Sequence, residues 1–335
     1  MNDNFNPSKQ HVFLLNWLTL IFILVVAMII IGGITRITDS GLSMVEWRPL
    51  LGFLPPLNNQ EWERVFDLYK NTPEYSYYNK GMLLSDFKFI FFWEYFHRLW
   101  GRIIGIVFIL PFIYLVVTKK IDKFITARLL VILFFGSLQA FIGWWMVKSG
   151  LIDRPDVSQY RLAIHFGNSL LILFLLFWLI LDLKNRKSRI KFDINLIIFF
   201  IIFITIIAGS LVAGMDAGLM YNTYPLMNDN FFPSDYLSLG LLDPFENPGS
   251  AQFHHRHLGF ISLVAIGIFF AKNFYKKKVY LELIFLVIFI IIQFVLGVYI
   301  LLNYVPNLNA SLHQIVAVLI FLTMTKIIHT LNIKT

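Results

Sequence analysis

His97, His165, His255 and His313 each sit a few residues inside the same end of an apolar segment long enough to cross a bilayer. A polar ring of this kind is costly in hydrocarbon, and its presence there points to function by default. Two facing imidazoles are the axial set that a haem iron takes, so the pattern reads as a membrane haem protein. The residue four places after each histidine is small: Gly101, Ser169, Gly259 and Ala317. Positions four apart share a helix face, so each imidazole stands over a notch where a flat macrocycle could approach the backbone. Small residues also ease helix packing in membranes, and Gly101 with Gly105 forms a GxxxG pattern. One such position would say little; four at equivalent places carry the haem reading.

The elements that position these side chains follow from composition. The chain has 335 residues, 58% of them hydrophobic and only 14% charged, which no soluble domain of this length carries. Apolar stretches run roughly over 12–34, 89–117, 125–147, 160–181, 194–214, 252–271, 279–302 and 309–330. Lipid offers no partners to backbone polar groups, so these eight stretches must be helices, and they lack the alternation of a membrane barrel. The fold class is therefore an all-α integral membrane protein.

The net charge of +8 orients the chain and does not mark a nucleic-acid partner. Lys119, Lys120, Lys123 and Arg128 lie between the second and third stretches, Lys184, Arg186, Lys187, Arg189 and Lys191 between the fourth and fifth, and Lys272, Lys276, Lys277 and Lys278 between the sixth and seventh. The positive-inside rule places these loops and both termini in the cytoplasm. Met215 to Ala251 holds five acidic residues and no Lys or Arg, as an external loop should. The first apolar stretch is too long for a cleaved signal peptide and reads as a true helix. With no cysteine, disulfides, thiolate-ligated haem, iron–sulfur clusters and cysteine-based zinc sites are excluded.

The chain also repeats itself. Asp39, Gly41 and Leu42 align with Asp216, Gly218 and Leu219; His97, Arg98 and Gly101 with His255, Arg256 and Gly259; Gln139 and Gly143 with Gln293 and Gly297; and His165 with His313. The order is the same in both halves, which implies two four-helix bundles, residues 1–185 and 186–335, related by a pseudo-twofold axis along the membrane normal. His97 and His165 would bracket one iron and His255 and His313 another, both toward the external face. His254 and His257 flank His255 on other faces, so at most one of the three meets the same iron, and the alignment selects His255. His11 and His329 lie toward the cytoplasmic face, away from both sites.

One difference between the halves stands out three residues before the first histidine, where Glu94 faces Gln252. A carboxylate inside a membrane is a functional hypothesis; the structural alternative is an ion pair with Arg98 or Arg102. The asymmetry implies that one haem reacts while the other carries electrons. Arg98 and Arg256 could reach haem propionates or snorkel to the interface. Asp39 and Asp216, in DSG and DAG turns, would shape the chain after the first and fifth helices.

EYFHR (94–98), QFHHR (252–256), the single histidines at 165 and 313, the GLSM segment and the two Gln-containing repeats together resemble the haem A synthase family over nearly the whole chain. That resemblance implies oxidation of the C8 methyl of haem O to a formyl group, through successive hydroxylations with water-derived oxygen. It implies that His97 and His165 hold the substrate haem, that His255 and His313 hold a permanent haem b, and that Glu94 is the catalytic glutamate. Some members carry a cysteine pair in the first outer loop; this chain resembles the cysteine-free subgroup. Expected partners are haem O, the lipid bilayer, a haem O synthase, an electron acceptor, oxidase assembly factors and a second copy in a homo-oligomer. The expected location is a bacterial cytoplasmic (inner) membrane with the haem sites on the periplasmic side.

The strongest alternative is a bis-histidine cytochrome b acting only as an electron carrier, which leaves Glu94 and the outward clustering of both sites unexplained. A transporter would need inverted repeats and broken helices. A prenyltransferase making haem O would need aspartate-rich motifs that the helices lack.

Overall fold

The computed structural model describes residues 9–47, 52–152, 154–185, 187–274 and 280–333. Arg186, Lys276, Lys277 and Lys278 of the basic loops lie outside the described residues. In chain order the helices are α1 (Lys9–Ile37), α2 (Asn59–Lys70), α3 (Pro73–Tyr77), α4 (Leu84–Val117), α5 (Lys123–Ile152), α6 (Gln159–Lys184), α7 (Ile194–Gly214), α8 (Asp243–Glu246), α9 (Pro248–Asn273), α10 (Tyr280–Leu302) and α11 (Asn307–Leu331). Eight of them, all but α2, α3 and α8, are long and apolar enough to span a membrane, and each expected stretch falls on one of these. The chain is thus an all-α multi-pass membrane protein.

Helix boundaries reach past the apolar stretches where caps extend them. Asn247 accepts from the Ser250 amide and Pro248 takes the first helical place, so α9 starts before residue 252 and the external loop ends earlier than the expected Ala251. Asp193 caps α7 through the amides of Asn195 and Leu196. Pro111 is accommodated inside α4.

Each half closes the same ring of contacts. α1 meets α4, α4 meets α5, α5 meets α6 and α6 returns to α1; α7, α9, α10 and α11 repeat that sequence. Between the halves α1 touches α11, α6 touches α7, and α6 touches α11. Indole donors find carbonyls across helices, Trp17 Nε1 on Val107 at 2.8 Å and Trp100 Nε1 on Leu24 at 3.0 Å, which satisfies polar groups where lipid cannot.

The main buried cluster draws on one end of every helix. Its members run from Leu14 to Ile29 on α1, Phe108 to Leu115 on α4, Leu170 to Ile180 on α6 and Val318 to Ile328 on α11. All four candidate histidines lie beyond these windows, at the other end. Asp182 ties the packed end together, accepting from Arg128 at 2.5 Å and pairing with buried His329 at 2.8 Å. His329 therefore has a structural partner at the end away from the four candidate histidines.

At the histidine end, two helices without membrane length cover the first half. Asn58 caps α2 and Thr72 caps α3, and Phe66 and Tyr69 pack on Phe87, Ile90 and Phe91 of α4. Arg36 joins the repeat-equivalent turns, binding Asp39 at 2.8 Å and Asp216 at 2.7 Å, and both aspartates are left-handed, with φ of 47° and 50°. The expected turn-shaping role fits that geometry.

Beneath this cap Glu74 is buried and accepts from the Tyr69 hydroxyl at 2.9 Å. Burial pushes its carboxyl up to about 8, against the Tyr69 hydrogen bond that lowers it, with the charge of Glu94 adding to the rise. The folded cap therefore holds a proton that an unfolded carboxyl, near 4.5, gives up. The resulting stability is full below the unfolded value and lost as pH rises through the folded one. Amide exchange over residues 59–77, corrected for intrinsic rates, is expected to lose protection progressively between about pH 4.5 and about pH 8, and Glu74→Gln should flatten that dependence.

Candidate functional site

The four histidines project from α4, α6, α9 and α11 near one end of the molecule, and each imidazole lies against a glycine of the neighbouring helix. An alanine methyl at Gly32 would sit 3.0 Å from His97 Cε1, at Gly143 3.1 Å from His165 Cε1, at Gly209 2.9 Å from His255 Cε1, and at Gly297 3.0 Å from His313 Cε1. Each ring thus occupies space that any other residue would fill. Gly143 and Gly297 are repeat partners, and Gly32 and Gly209 share the alignment of Asp39 with Asp216.

In the second half the His255 and His313 rings lie 6.4 Å apart between centroids, with planes at 80°. Two metal–imidazole bonds of about 2 Å each fit a separation of this order. His255 Nδ1 donates to the Thr205 carbonyl at 3.2 Å, which leaves Nε2 free to serve as a ligand atom. In the first half His97 projects from α4 and His165 from α6, helices that α1 and α5 join in the ring of contacts. Nδ1 of His97, His165 and His313 is buried with no hydrogen-bond partner. Gln139 Nε2 donates to the His165 carbonyl at 3.0 Å and lies 3.3 Å from His165 Nε2, so it shares that nitrogen's surroundings. A methyl at Gly105 or Gly259 would meet nothing within 4 Å, which leaves room on the α4 and α9 faces that carry His97 and His255. Half-buried imidazoles beside open backbone, two of them 6.4 Å apart, fit a bis-imidazole haem.

The triplet is resolved by packing. The His254 ring stacks near Tyr236, and His257 lies over Phe253 with its centroid 4.0 Å away and Nδ1 on the Phe253 carbonyl. Both face the aromatic cluster of the outer loop, so only His255 reaches Gly209 and His313.

Glu94 is 3% exposed, and its carboxylate is fully engaged. Oε2 accepts from Ser43 Oγ and from the Met44 amide, both at 2.7 Å, and Oε1 accepts from Arg98 at 2.5 Å. The ion pair is with Arg98, while the Arg102 guanidinium lies over Phe53. Arg98 also donates to the carbonyls of Met44 and Glu46. In the second half Gln252 Nε2 donates to the carbonyls of Tyr221 and Gly218, and Arg256 to those of Tyr221, Thr223 and Leu226. Both arginines thus hold the loop that follows the first helix of their half.

The sequence reading picked out Gly143 and Gly297 as repeat partners without their role against the rings, and Gly32 and Gly209 not at all. It looked for small residues on the histidine's own helix, whereas these lie across the interface; their shared repeat offset was the available signal.

Eight membrane-length helices with four half-buried imidazoles toward one end define the class: a polytopic membrane protein. The family model COX15-CtaA, described as cytochrome oxidase assembly protein, matches residues 15–325, and the chain belongs to that family. It is 43% identical over 270 residues to the haem A synthase of Nitrosospira multiformis, covering 77% of this chain and 75% of that protein. It is 45% identical over 260 residues to that of Maricaulis maris, covering 76% and 75%. To that of Wolbachia pipientis wMel it is 42% identical over 314 residues, covering 91% and 89%.

The close approach makes each glycine testable. Gly209→Ala and Gly297→Ala are each expected to displace an imidazole by a few tenths of an ångström and to weaken iron-porphyrin retention about tenfold or more, the scale seen when groups that orient metal ligands are disturbed. Haem-to-protein ratio after purification checks this, with Gly267→Ala, at an exposed place on α9, as a control that should retain the parent ratio.

Proposed function

We propose that this chain is a haem A synthase that takes haem O from the bilayer and oxidises its C8 methyl to a formyl group. The observation that carries the reading is a buried carboxylate, Glu94, on the helix of one imidazole pair, where the other pair has the amide of Gln252. Relatives named haem A synthase at 42–45% identity over most of the chain support it. A pure electron carrier would give that asymmetry no task.

In this reading residues 1–185 and 186–335 form two bundles about a pseudo-twofold axis, supported by their equivalent contact rings and histidine–glycine pairs. His97 and His165 hold the substrate haem, and His255 and His313 hold haem b. The bound haem b supplies a one-electron redox centre beside the substrate. Glu94 holds a fixed negative charge on the face shared with His97, three residues away, where it stabilises cationic character at the reacting methyl carbon or accepts a proton from an attacking water. Arg98 orients that carboxylate from one side and the GLSM segment from the other. The exposed aliphatic and aromatic surfaces of the spanning helices face lipid, from which a prenylated substrate enters.

Basic residues cluster at the helix ends opposite the histidines, which supports cytoplasmic termini and haem sites on the periplasmic side of a bacterial inner membrane. A haem O synthase, an electron acceptor, assembly factors and a second copy of the chain are the partners this activity would draw on.

The test is chromatography of haems extracted from protein expressed beside a haem O synthase. Haem O, an alcohol intermediate or haem A is expected together with haem b; haem b alone would make the chain an electron carrier. Glu94→Gln should keep both haems and lower haem A formation by about 10²–10⁴-fold, the range of one acid–base group. Loss of all haem from that variant would make Glu94 an anchor of the loop and nothing more.

A further inference from the structure

A second asymmetry lies on α1, where two adjacent glycines receive side chains of different halves. Gly32 takes the ring of His97. Gly33 takes the amide of Gln314, the residue directly after His313: a methyl at Gly33 would lie 2.1 Å from Gln314 Oε1 and 2.8 Å from its Cδ. Gln314 Nε2 donates to the Ile29 carbonyl of α1 at 2.8 Å. That carbonyl is also the helical partner of the Gly33 amide, and its second lone pair takes the side chain. The amide thus lies flat on the α1 backbone where the backbone is bare. The repeat puts Ser210 and Phe166 at the equivalent places of α7 and α6, and Ser210 spends its hydroxyl on the Ile207 carbonyl of its own helix. The joint between α11 and α1 therefore has no counterpart between α6 and α7.

We propose that Gly33 and Gln314 form a polar joint that positions His313 against the helix receiving His97, so that α1 is a common frame for both imidazole pairs. An interhelical hydrogen bond in hydrocarbon has no water to replace it, and the bare backbone lets it form at short range. Because His313 and Gln314 are consecutive on a rigid helix, a turn or slide of α11 at Gln314 moves the imidazole with it. Gly33 and Gln314 are positioning residues in this scheme and touch no haem. The inference rests on the ligand assignment proposed above.

Two measurements test it on the full-length protein, with Gly33→Ala and Gln314→Leu each compared with the parent. The first is the low-spin ferric EPR signal of protein expressed without a haem O source, so that only the second-half haem is read. The second needs no haem: the chain has no cysteine, so Ile23→Cys and Leu319→Cys, at exposed places on α1 and α11, take a clean pair of spin labels. Both variants are expected to shift the EPR signal and to lengthen or broaden the label distance, while Gly267→Ala, at an exposed place on α9 where a methyl meets nothing, leaves both as in the parent. An unchanged signal in both variants overturns the positioning role whether or not the distance moves, and an unchanged distance overturns the joint. If the parent shows no bis-imidazole signal, the ligand assignment fails, and with it the positioning of His313 for a haem.

Discussion

The site depends on imidazoles lying against bare backbone. An aromatic ring with two polar nitrogens is confined in a low-dielectric bundle when the neighbouring helix comes close, and a Cβ on that helix would push the ring back at all four places. Each ring–glycine contact joins helices adjacent in sequence order within a half, α1 with α4, α5 with α6, α7 with α9 and α10 with α11, and these are contacts that close the two rings. The same glycines that let the helices pack also fix which way each imidazole faces. Packing and ligand geometry are one constraint.

The loops after α1 and α7 show how polarity is matched where the two halves differ. In the first half the loop presents donors, the Ser43 hydroxyl and the Met44 amide, and the residue below is a carboxylate. In the second the loop presents the carbonyls of Gly218 and Tyr221, and the residue below is an amide that donates. Arg98 and Arg256 complete both arrangements by taking loop carbonyls. Glu94 thus combines two tasks: two of its hydrogen bonds anchor the loop, and with the third, from Arg98, they keep a charge at a fixed place inside the membrane. Breaking a buried pair by removing one partner costs about 3–5 kcal/mol, far more than the pair contributes beyond an apolar substitute. A charge retained on such terms is retained for its position.

Most of the fold was legible because membrane length and hydropathy act on each segment independently, and lipid forbids any other spanning conformation. The small helices α2 and α3 were not, since their signals are polar caps at Asn58 and Thr72 and an amphipathic face that packs only after α4 supplies Phe87 and Phe91. The histidines were legible as a repeated pattern, and the same alignment singled out His255 among three neighbours. What lay beyond the sequence was everything across an interface: the glycines facing each ring, the engagement of Arg98 and Arg256 with loop carbonyls, and the joint at Gln314. Spacing along one helix identifies a face, but which neighbour that face meets is decided by tertiary packing.

The division of the molecule into a packed end and a site end follows from the same physics. The buried apolar cluster takes its members from the half of each helix away from the histidines, and Asp182 with Arg128 and His329 adds a charged knot there. That end sets the spacing of all eight helices. The other end is then free to leave backbone bare at Gly105 and Gly259, where added side chains would meet nothing, without losing the frame. Arg36, spanning Asp39 and Asp216, closes the two halves across the open end. A site for flat ligands needs unfilled space between helices that do not collapse into it, and separating the packed core from the histidine level by half a helix length meets both demands.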